Sequence, residues 1–308
     1  MTSPSPWQPL TLGRLELDPA TLFAGGARGY TDYPTLTPAC PSTWPGSASP
    51  MPAPATPSQP IRTSHLQETH PMTSLNGAVV LVTGANGGIG GHFVREALAR
   101  GAAKIYATAR SPREWDDERV VPLTLDVTDP ASIRAAVEHA SDVTVLINNA
   151  GSSPSTPGIL SHTDEEIRAN VETNFLGPLF LARAFAPALS AAGGNTAIID
   201  IHSALSWYAV AGIYSATKAA LWSATNSLRL ELQPAGVQVV GVHVGYVDTA
   251  MAARAEGPKV DPADLVDQVF ATLEAGGYEV LADDTSVQLR AGLSAPLEAV
   301  YPQLAAGR

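Results

Sequence analysis

The chain has 308 residues, 45% of them apolar, and a net charge of −11 from 29 acidic and 18 basic side chains. That length fits one large domain or two ordinary ones, and the acidic balance argues against nucleic acid and anionic membrane as partners. The single cysteine, Cys40, excludes an intrachain disulfide and a cysteine-rich metal site. No apolar run approaches the roughly 18 residues of a membrane span. The N-terminal MTSPSPWQPL lacks the basic start and apolar core of a signal peptide, so the simplest compartment is the cytoplasm.

Composition changes sharply near residue 72. Residues 1–71 hold 14 of the 26 prolines, and PSTWPGSASPMPAPATPSQP is almost entirely Pro, Ser, Ala and Thr. Such a segment buries too little to fold alone, so 1–72 is expected to be a disordered tail and 73–308 the folded domain. Its apolar island LTLGRLELDPATLF offers a docking segment. Met72 stands just before the first regular element, so translation from an upstream start codon accounts for the tail equally well.

From Leu75 the pattern alternates. AVVLVTG is a β-rich run, IGGHFVREALARG an amphipathic helix, and KIYATAR and VVPLTLDV are strands. PASIRAAVEHA is a helix with Asp129 as N-cap and Pro130 in its first turn. DVTVLINNAG is a strand, TDEEIRANVETNFLGPLFLARAFAPALSAAG one long helix, and NTAIIDIHS a strand. GIYSATKAALWSATNSLRLELQPAG is a helix, VQVVGVHVG a strand, DPADLVDQVFATLEAGG a helix and YEVLADD a last strand. Strands that alternate with helices lie parallel under helices on both faces, and such strands are apolar throughout, as these are. The expected fold is α/β: one doubly wound domain on a parallel sheet of about seven strands, without a separate substrate domain.

VLVTGANGGIGGHF joins the first strand to the first helix, with glycines at 84, 88 and 90. Glycine permits a tight turn and close approach of backbone to a pyrophosphate, and the helix N-terminus adds unpaired N–H groups and a positive dipole end. No Gly-Lys-Ser/Thr follows, so this is not a P-loop. A glycine-rich turn without a ligand is the bland alternative. After the first strand of an α/β domain, however, the loop reads as a Rossmann-type dinucleotide site, with Gly84, Asn86, Gly88, Ile89 and Gly90 as contacts. Where an acid would hold the ribose hydroxyls of NAD, the chain has Arg110. A guanidinium suits a 2′-phosphate, so NADP(H) is expected over NAD(H); a surface arginine at a strand end is the plainer reading. No His/Cys/carboxylate cluster shows metal-ligand spacing, and no metal is expected.

Taken in order, TGANGGIG, LDVTD, NNAG (Asn148 to Gly151), Asn174 in ETNFLGP, Ser203 in DIHSALSW, and YSATK resemble the short-chain dehydrogenase/reductase family. The resemblance implies an oxidoreductase that interconverts a carbonyl and an alcohol by hydride transfer, with Tyr214 as general acid/base. Free tyrosine has a pKa of about 10. The ammonium of Lys218, one helical turn away, together with a positive nicotinamide, would favour the phenolate. By the same resemblance Lys218 would bond the nicotinamide ribose, Ser203 would hold the substrate oxygen beside Tyr214, and Asn174 would position a water that links Lys218 to solvent. Asp126 and Val127 would face the adenine, and Asn149, Ala150 and Gly151 would line the cofactor path. Gly245, Val247 and Thr249 would offer backbone and hydroxyl groups to the nicotinamide amide and phosphate. A small carbonyl or alcohol substrate is implied, as is a homodimer or homotetramer joined through the two long helices.

Two departures stand out. Ser203 to Tyr214 spans eleven positions, two fewer than the family's usual spacing, which makes Ser206 a fallback for the hydroxyl. The family's Pro-Gly after the sixth strand is Val244-Gly245, which removes a rigid turn. His202 and His243 stand on strands and read as core histidines. Trp207, Tyr208 and Trp222 read as packing residues, the first two close enough in sequence to Ser203 to touch substrate. The competing function is a non-catalytic dinucleotide-binding or redox-sensing protein on the same fold. The complete set Asn174, Ser203, Tyr214 and Lys218 favours the enzyme; the shortened loop favours the binder.

Overall fold

A computed structural model describes residues 72–154 and 158–304. The proline-rich tail lies outside the described residues. Seven strands build one parallel sheet: β1 (Val79–Thr83), β2 (Lys104–Ala109), β3 (Val120–Thr124), β4 (Val145–Asn148), β5 (Thr196–Ile201), β6 (Val237–His243) and β7 (Glu279–Leu281). Their order is β3-β2-β1-β4-β5-β6-β7, with Val80 opposite Ile105 on one side and Val145 on the other. The helices are α1 (Gly88–Ala99), α2 (Pro130–His139), α3 (Asp164–Val171), α4 (Gly177–Ala191), α5 (Ile213–Leu232), α6 (Pro262–Glu274), α7 (Asp284–Ala291) and α8 (Leu297–Val300).

Successive strand residues point to opposite faces, so the sheet divides its own apolar residues between two layers. Val80, Val82, Ile105, Ile147 and Val240 pack with Phe93 of α1 and Phe270 of α6. Leu81, Tyr106, Leu146, Ile198 and Val239 pack with Ile133 of α2, Phe185 of α4 and Leu228 of α5. Each such large side chain contributes roughly 1.5–3 kcal/mol by leaving water. Phe93 meets Phe270 edge-on at 5.4 Å, and Arg100 after α1 ties Glu96 to Asp267 and Glu274 of α6. Asp129 caps α2 as expected, accepting from the Ala131 N–H at 2.8 Å with Pro130 at N1.

The single long helix expected over 163–193 is two helices, α3 and α4, joined by a π turn at Glu172–Leu176. Pro178 supplies the reason. It has no N–H for the carbonyl four residues back, that of Asn174, so the hydrogen-bond register must change there. Gly177 then lets α4 press on the β3–α2 connection: a Cβ would lie 2.9 Å from the Val127 carbonyl oxygen. The sequence pattern also ends at β7, whereas α7 and α8 follow it. Among the described residues no helix is long and apolar enough to cross a membrane. The strand order reverses at β1, with β2 on one side and β4 on the other, which opens a crevice at the C-terminal ends of β1 and β4.

Candidate active site

The glycine loop turns at this crevice. Gly84 takes φ +66° and Gly88 φ +53°, a region that favours glycine. Gly90 is fixed by space, since a Cβ would stand 2.2 Å from the Gly84 carbonyl oxygen. The start of α1 has no side-chain cap and no acidic residue in its first turn, which leaves its positive end uncompensated. Beside it lies a cleft of about 730 Å³ whose walls include Gly84, Asn86, Arg110, Asp126, Val127, Ala150 and Gly151. Arg110 ends β2 exposed to solvent, without an ion pair among the described residues. Hydrogen bonds from the Thr128 N–H (2.9 Å) and Oγ1 (2.7 Å), and to a lesser degree the Arg110 charge, hold the Asp126 carboxyl below its usual range.

Several residues named from the sequence brace this cleft. Asn86 Nδ2 donates to the Ser111 carbonyl at 2.8 Å and its Oδ1 accepts from the Arg113 N–H at 3.1 Å. Asn149 Nδ2 donates to the Thr83 carbonyl at 2.8 Å, and Thr83 Oγ1 accepts the main-chain N–H of both Asn149 and Ala150 at 2.9 Å. Ile89 packs on the core layer, and a Cβ on Gly88 would lie 3.4 Å from Thr249 Cγ2, so the glycine loop touches the segment after β6. Val247 is buried and Thr249 Oγ1 donates to its carbonyl at 3.3 Å. The Gly245 N–H is already committed, to Asp283 Oδ2 at 2.6 Å, while Asp283 Oδ1 caps α7. The turn that lacks the family's proline is therefore tied by hydrogen bonds to α7, a partner 38 residues away.

Gly151 leads from the cleft to the second cluster. A Cβ there would lie 3.4 Å from Asn174 Oδ1 and 3.8 Å from Lys218 Nζ, so Gly151 lines this passage within contact distance of both side chains. Asn174 sits fully buried in the π turn. Its Oδ1 accepts from the Ser152 N–H and its Nδ2 donates to the Ser152 carbonyl, both at 2.8 Å, and Nδ2 also donates to Asn170 Oδ1 at 2.9 Å. Ser152, Asn170 and Thr217 were not marked by the sequence; Ser152 follows NNAG directly and was the available signal.

Ser203 follows the end of β5 and Tyr214 stands in the first turn of α5, with the Ser203 hydroxyl beside the Tyr214 phenol; Ser203 Oγ itself donates to the Val244 carbonyl at 3.4 Å. The shortened segment between them folds as two 3₁₀ turns, Ala204–Ser206 and Ala209–Ala211. Gly212 closes it at φ +54°. Ser206 Oγ is buried and has no partner among the described residues. Trp207 is a packing residue, stacked on His243 at 3.8 Å and edge-on to Trp222 at 5.7 Å; Tyr208 stacks on Tyr301 at 5.2 Å. Lys218 is buried, donates to the Ile201 carbonyl at 2.7 Å, and lies 5.8 Å from the Tyr214 ring centre. Burial raises the Tyr214 pKa and the Ser203 bond only offsets part of this. Burial brings Lys218 down to about 8. The chain's own groups therefore keep the phenol protonated at neutral pH; the phenolate expectation includes the charge of an oxidised nicotinamide.

The short chain dehydrogenase family model matches residues 78–259. The chain belongs to the short-chain dehydrogenase family. A short-chain dehydrogenase from Burkholderia cenocepacia, solved in complex with NADP, superposes with a TM-score of 0.70 at 36% identity, over 75% of this chain and 98% of that one. The NADPH-bound carbonyl reductase from chicken fatty liver gives 0.60 at 31% identity, over 66% and 89%. The Penicillium crustosum short-chain dehydrogenase PC-15 is 38% identical over 184 residues, 55% of this chain and 66% of that protein, so the chain spans about two thirds of that relative. In this short-chain dehydrogenase the matched segment contains the glycine loop, the Arg110 cleft and all four residues of the second cluster.

Proposed function

We propose that the protein is an NADP(H)-dependent oxidoreductase that interconverts a carbonyl and an alcohol, with Tyr214 as general acid/base. The observation that carries this reading is the gathering of Ser203, Tyr214, Lys218 and Asn174, with Gly151 lying against Lys218 and Asn174 and also lining the cleft at the glycine loop. The residues fit a dinucleotide phosphate: Gly90 leaves room for the loop to close on the strand, the α1 terminus is uncompensated, and the Arg110 guanidinium is exposed without an ion pair among the described residues. The relatives' descriptions agree in chemistry, including an NADPH-dependent 1-acyldihydroxyacetone phosphate reductase of Schizosaccharomyces pombe, 31% identical over 73% of this chain and 77% of that protein.

NADPH, when bound, supplies the hydride to the carbonyl carbon. Ser203 holds the carbonyl oxygen beside the phenol, and Tyr214 delivers its proton to that oxygen, so the product is the alcohol. The phenol is in its acid form at neutral pH, as the reductive direction requires. Lys218, whose ammonium lies beyond Gly151, binds the ribose by turning from the Ile201 carbonyl. Asn174 fixes Ser152 and with it the wall of that passage. A homodimer or homotetramer in the cytoplasm completes the reading; Leu230, 73% exposed on α5, supports contact between copies.

The test is NADPH oxidation against a panel of aldehydes, ketones and quinones, beside NADPH binding by calorimetry. Turnover that Tyr214→Phe abolishes is expected. Tight binding with no turnover on any substrate would transfer the protein to the dinucleotide-binding, redox-sensing class.

A further inference from the structure

Behind Ser203 four buried polar side chains form a chain that the reaction itself leaves unused. Asp200 Oδ2 lies 2.7 Å from Thr225 Oγ1, and Thr225 Oγ1 lies 2.9 Å from His202 Nε2. His202 Nδ1 lies 3.1 Å from His243 Nε2, and His243 Nδ1 lies 3.2 Å from the Ser203 carbonyl oxygen. None of the four is more than 2% exposed. The strands are shaped for the two rings. Gly241, in the middle of β6, makes room for His202, where a Cβ would lie 2.7 Å from Cε1. Trp207 covers His243.

Counting hydrogens from the Ser203 end fixes the direction of the chain. A carbonyl only accepts, so His243 Nδ1 carries a hydrogen. Neutral His243 then presents a lone pair at Nε2, and His202 must donate from Nδ1. Neutral His202 accepts at Nε2, where the Thr225 hydroxyl is the donor. That hydroxyl has one hydrogen. Its other neighbours, Asp200 Oδ2 and the Leu221 carbonyl at 2.8 Å, cannot also receive it. The close Asp200–Thr225 contact therefore needs a hydrogen on Asp200. The second oxygen of Asp200 accepts from Asn148 Nδ2 at 2.8 Å. An imidazolium would instead face Lys218 and Arg229 of α5 and Arg290 of α7, with Glu279 of β7, 3.6 Å from His243 Nε2, as the opposing carboxylate. Burial and these cations hold both imidazoles below their ordinary range, His243 at about 4, and burial pushes the Asp200 carboxyl up.

We propose that Asp200, Thr225, His202 and His243 are positioning residues for Ser203: a one-way chain of neutral groups, headed by a protonated Asp200, that pins the Ser203 main chain and with it the direction of its hydroxyl. The role of Ser203 rests on the oxidoreductase reading; the hydrogen inventory does not.

Long-range ¹H–¹⁵N NMR of the full-length, histidine-labelled protein reads the inventory without any turnover. Both imidazoles should be neutral and Nδ1-protonated between about pH 5 and pH 8. An imidazolium, or an Nε2–H tautomer, at either residue overturns the proposal. Asp200→Asn puts an amide N–H in place of the acid O–H and keeps an oxygen for Asn148, so the fold and both tautomers should persist; loss of either means an ionised Asp200 and also overturns it. On a substrate found by the panel, His243→Phe should lower kcat about tenfold with the KM for NADPH unchanged, the worth of one hydrogen bond. His243→Asn, whose amide N–H takes the place of Nδ1–H, should recover most of that loss. Equal losses in the two variants, or none in either, sink the positioning role. Full activity in Tyr214→Phe would instead end the oxidoreductase reading and leave the NMR result standing.

Discussion

The two ends of the site are built from different materials. The cleft beside Arg110 is made of turns, glycines and exposed side chains, with Asn86 and Asn149 bracing main chain. The cluster around Tyr214 is made of buried titratable groups whose protonation is set by one another and by burial. A ligand at the first end meets backbone geometry and the exposed Arg110 guanidinium. A ligand at the second meets protons held in place. Changes at the first end should therefore alter which dinucleotide binds, and changes at the second should alter rate and pH dependence.

The largest effect is expected from Tyr214→Phe. Only the phenolic oxygen goes, so NADPH affinity and melting temperature should stay near wild type while turnover falls about 10²–10⁴-fold. An equal loss of NADPH affinity would mean that the two ends are not separable.

Lys218 belongs to both ends, and pH exposes it. Its pKa of about 8 in the folded chain lies below the ordinary 10.5. The unfolded chain thus holds more protons between those values, and stability should rise as pH climbs through that window. Below it the buried ammonium costs of order 3 kcal/mol. Lys218→Met should remove the rise and melt at or above the wild-type temperature at neutral pH, while both turnover and NADPH affinity fall. A lower melting temperature would show that the bond to the Ile201 carbonyl outweighs the burial of the charge.

Arg110 tests the first end alone. Arg110→Asp should weaken NADPH binding by roughly 10–100-fold, the scale of charge-assisted hydrogen bonds, and improve NADH, with kcat on the bound complex little changed. Calorimetry that finds no preference in the wild-type chain would remove Arg110 from the cofactor site.

The same division explains what could be read from the sequence. Strand alternation, the Asp129 cap and the glycine loop are local patterns, and each appears where expected. Arg110 and Gly151 both line the cleft, the first marked by its position after a strand and the second by the resemblance of NNAG to the family motif. The break of the long helix was signalled by Pro178, but where the register changes depends on Gly177 meeting Val127, a contact across some fifty residues of chain. His202 and His243 looked like core histidines because each stands in an apolar strand. Only the pairing of β5 with β6 sets the rings together, and only then does Gly241 have a purpose. Asp283 was invisible as the partner of Gly245 for the same reason, since hydrogen bonds over such separations leave no local pattern.

The smallest expected effect is the most discriminating for the shortened segment. Ser203 and Ser206 are both buried, three residues apart, and either hydroxyl was a candidate in the sequence. They differ in their partners. Ser203 Oγ lies beside the Tyr214 phenol, donates to the Val244 carbonyl at 3.4 Å and accepts from the Leu205 N–H at 3.1 Å, whereas Ser206 Oγ has no partner among the described residues. A buried hydroxyl without a partner has lost its water and gained nothing, a cost of about 1–3 kcal/mol. Ser206→Ala should therefore leave turnover within error and hold or slightly raise the melting temperature. Ser203→Ala should lower kcat with NADPH affinity unchanged. If Ser206→Ala is instead the variant that loses activity, the segment moves when substrate arrives, and Ser203 is the wrong hydroxyl.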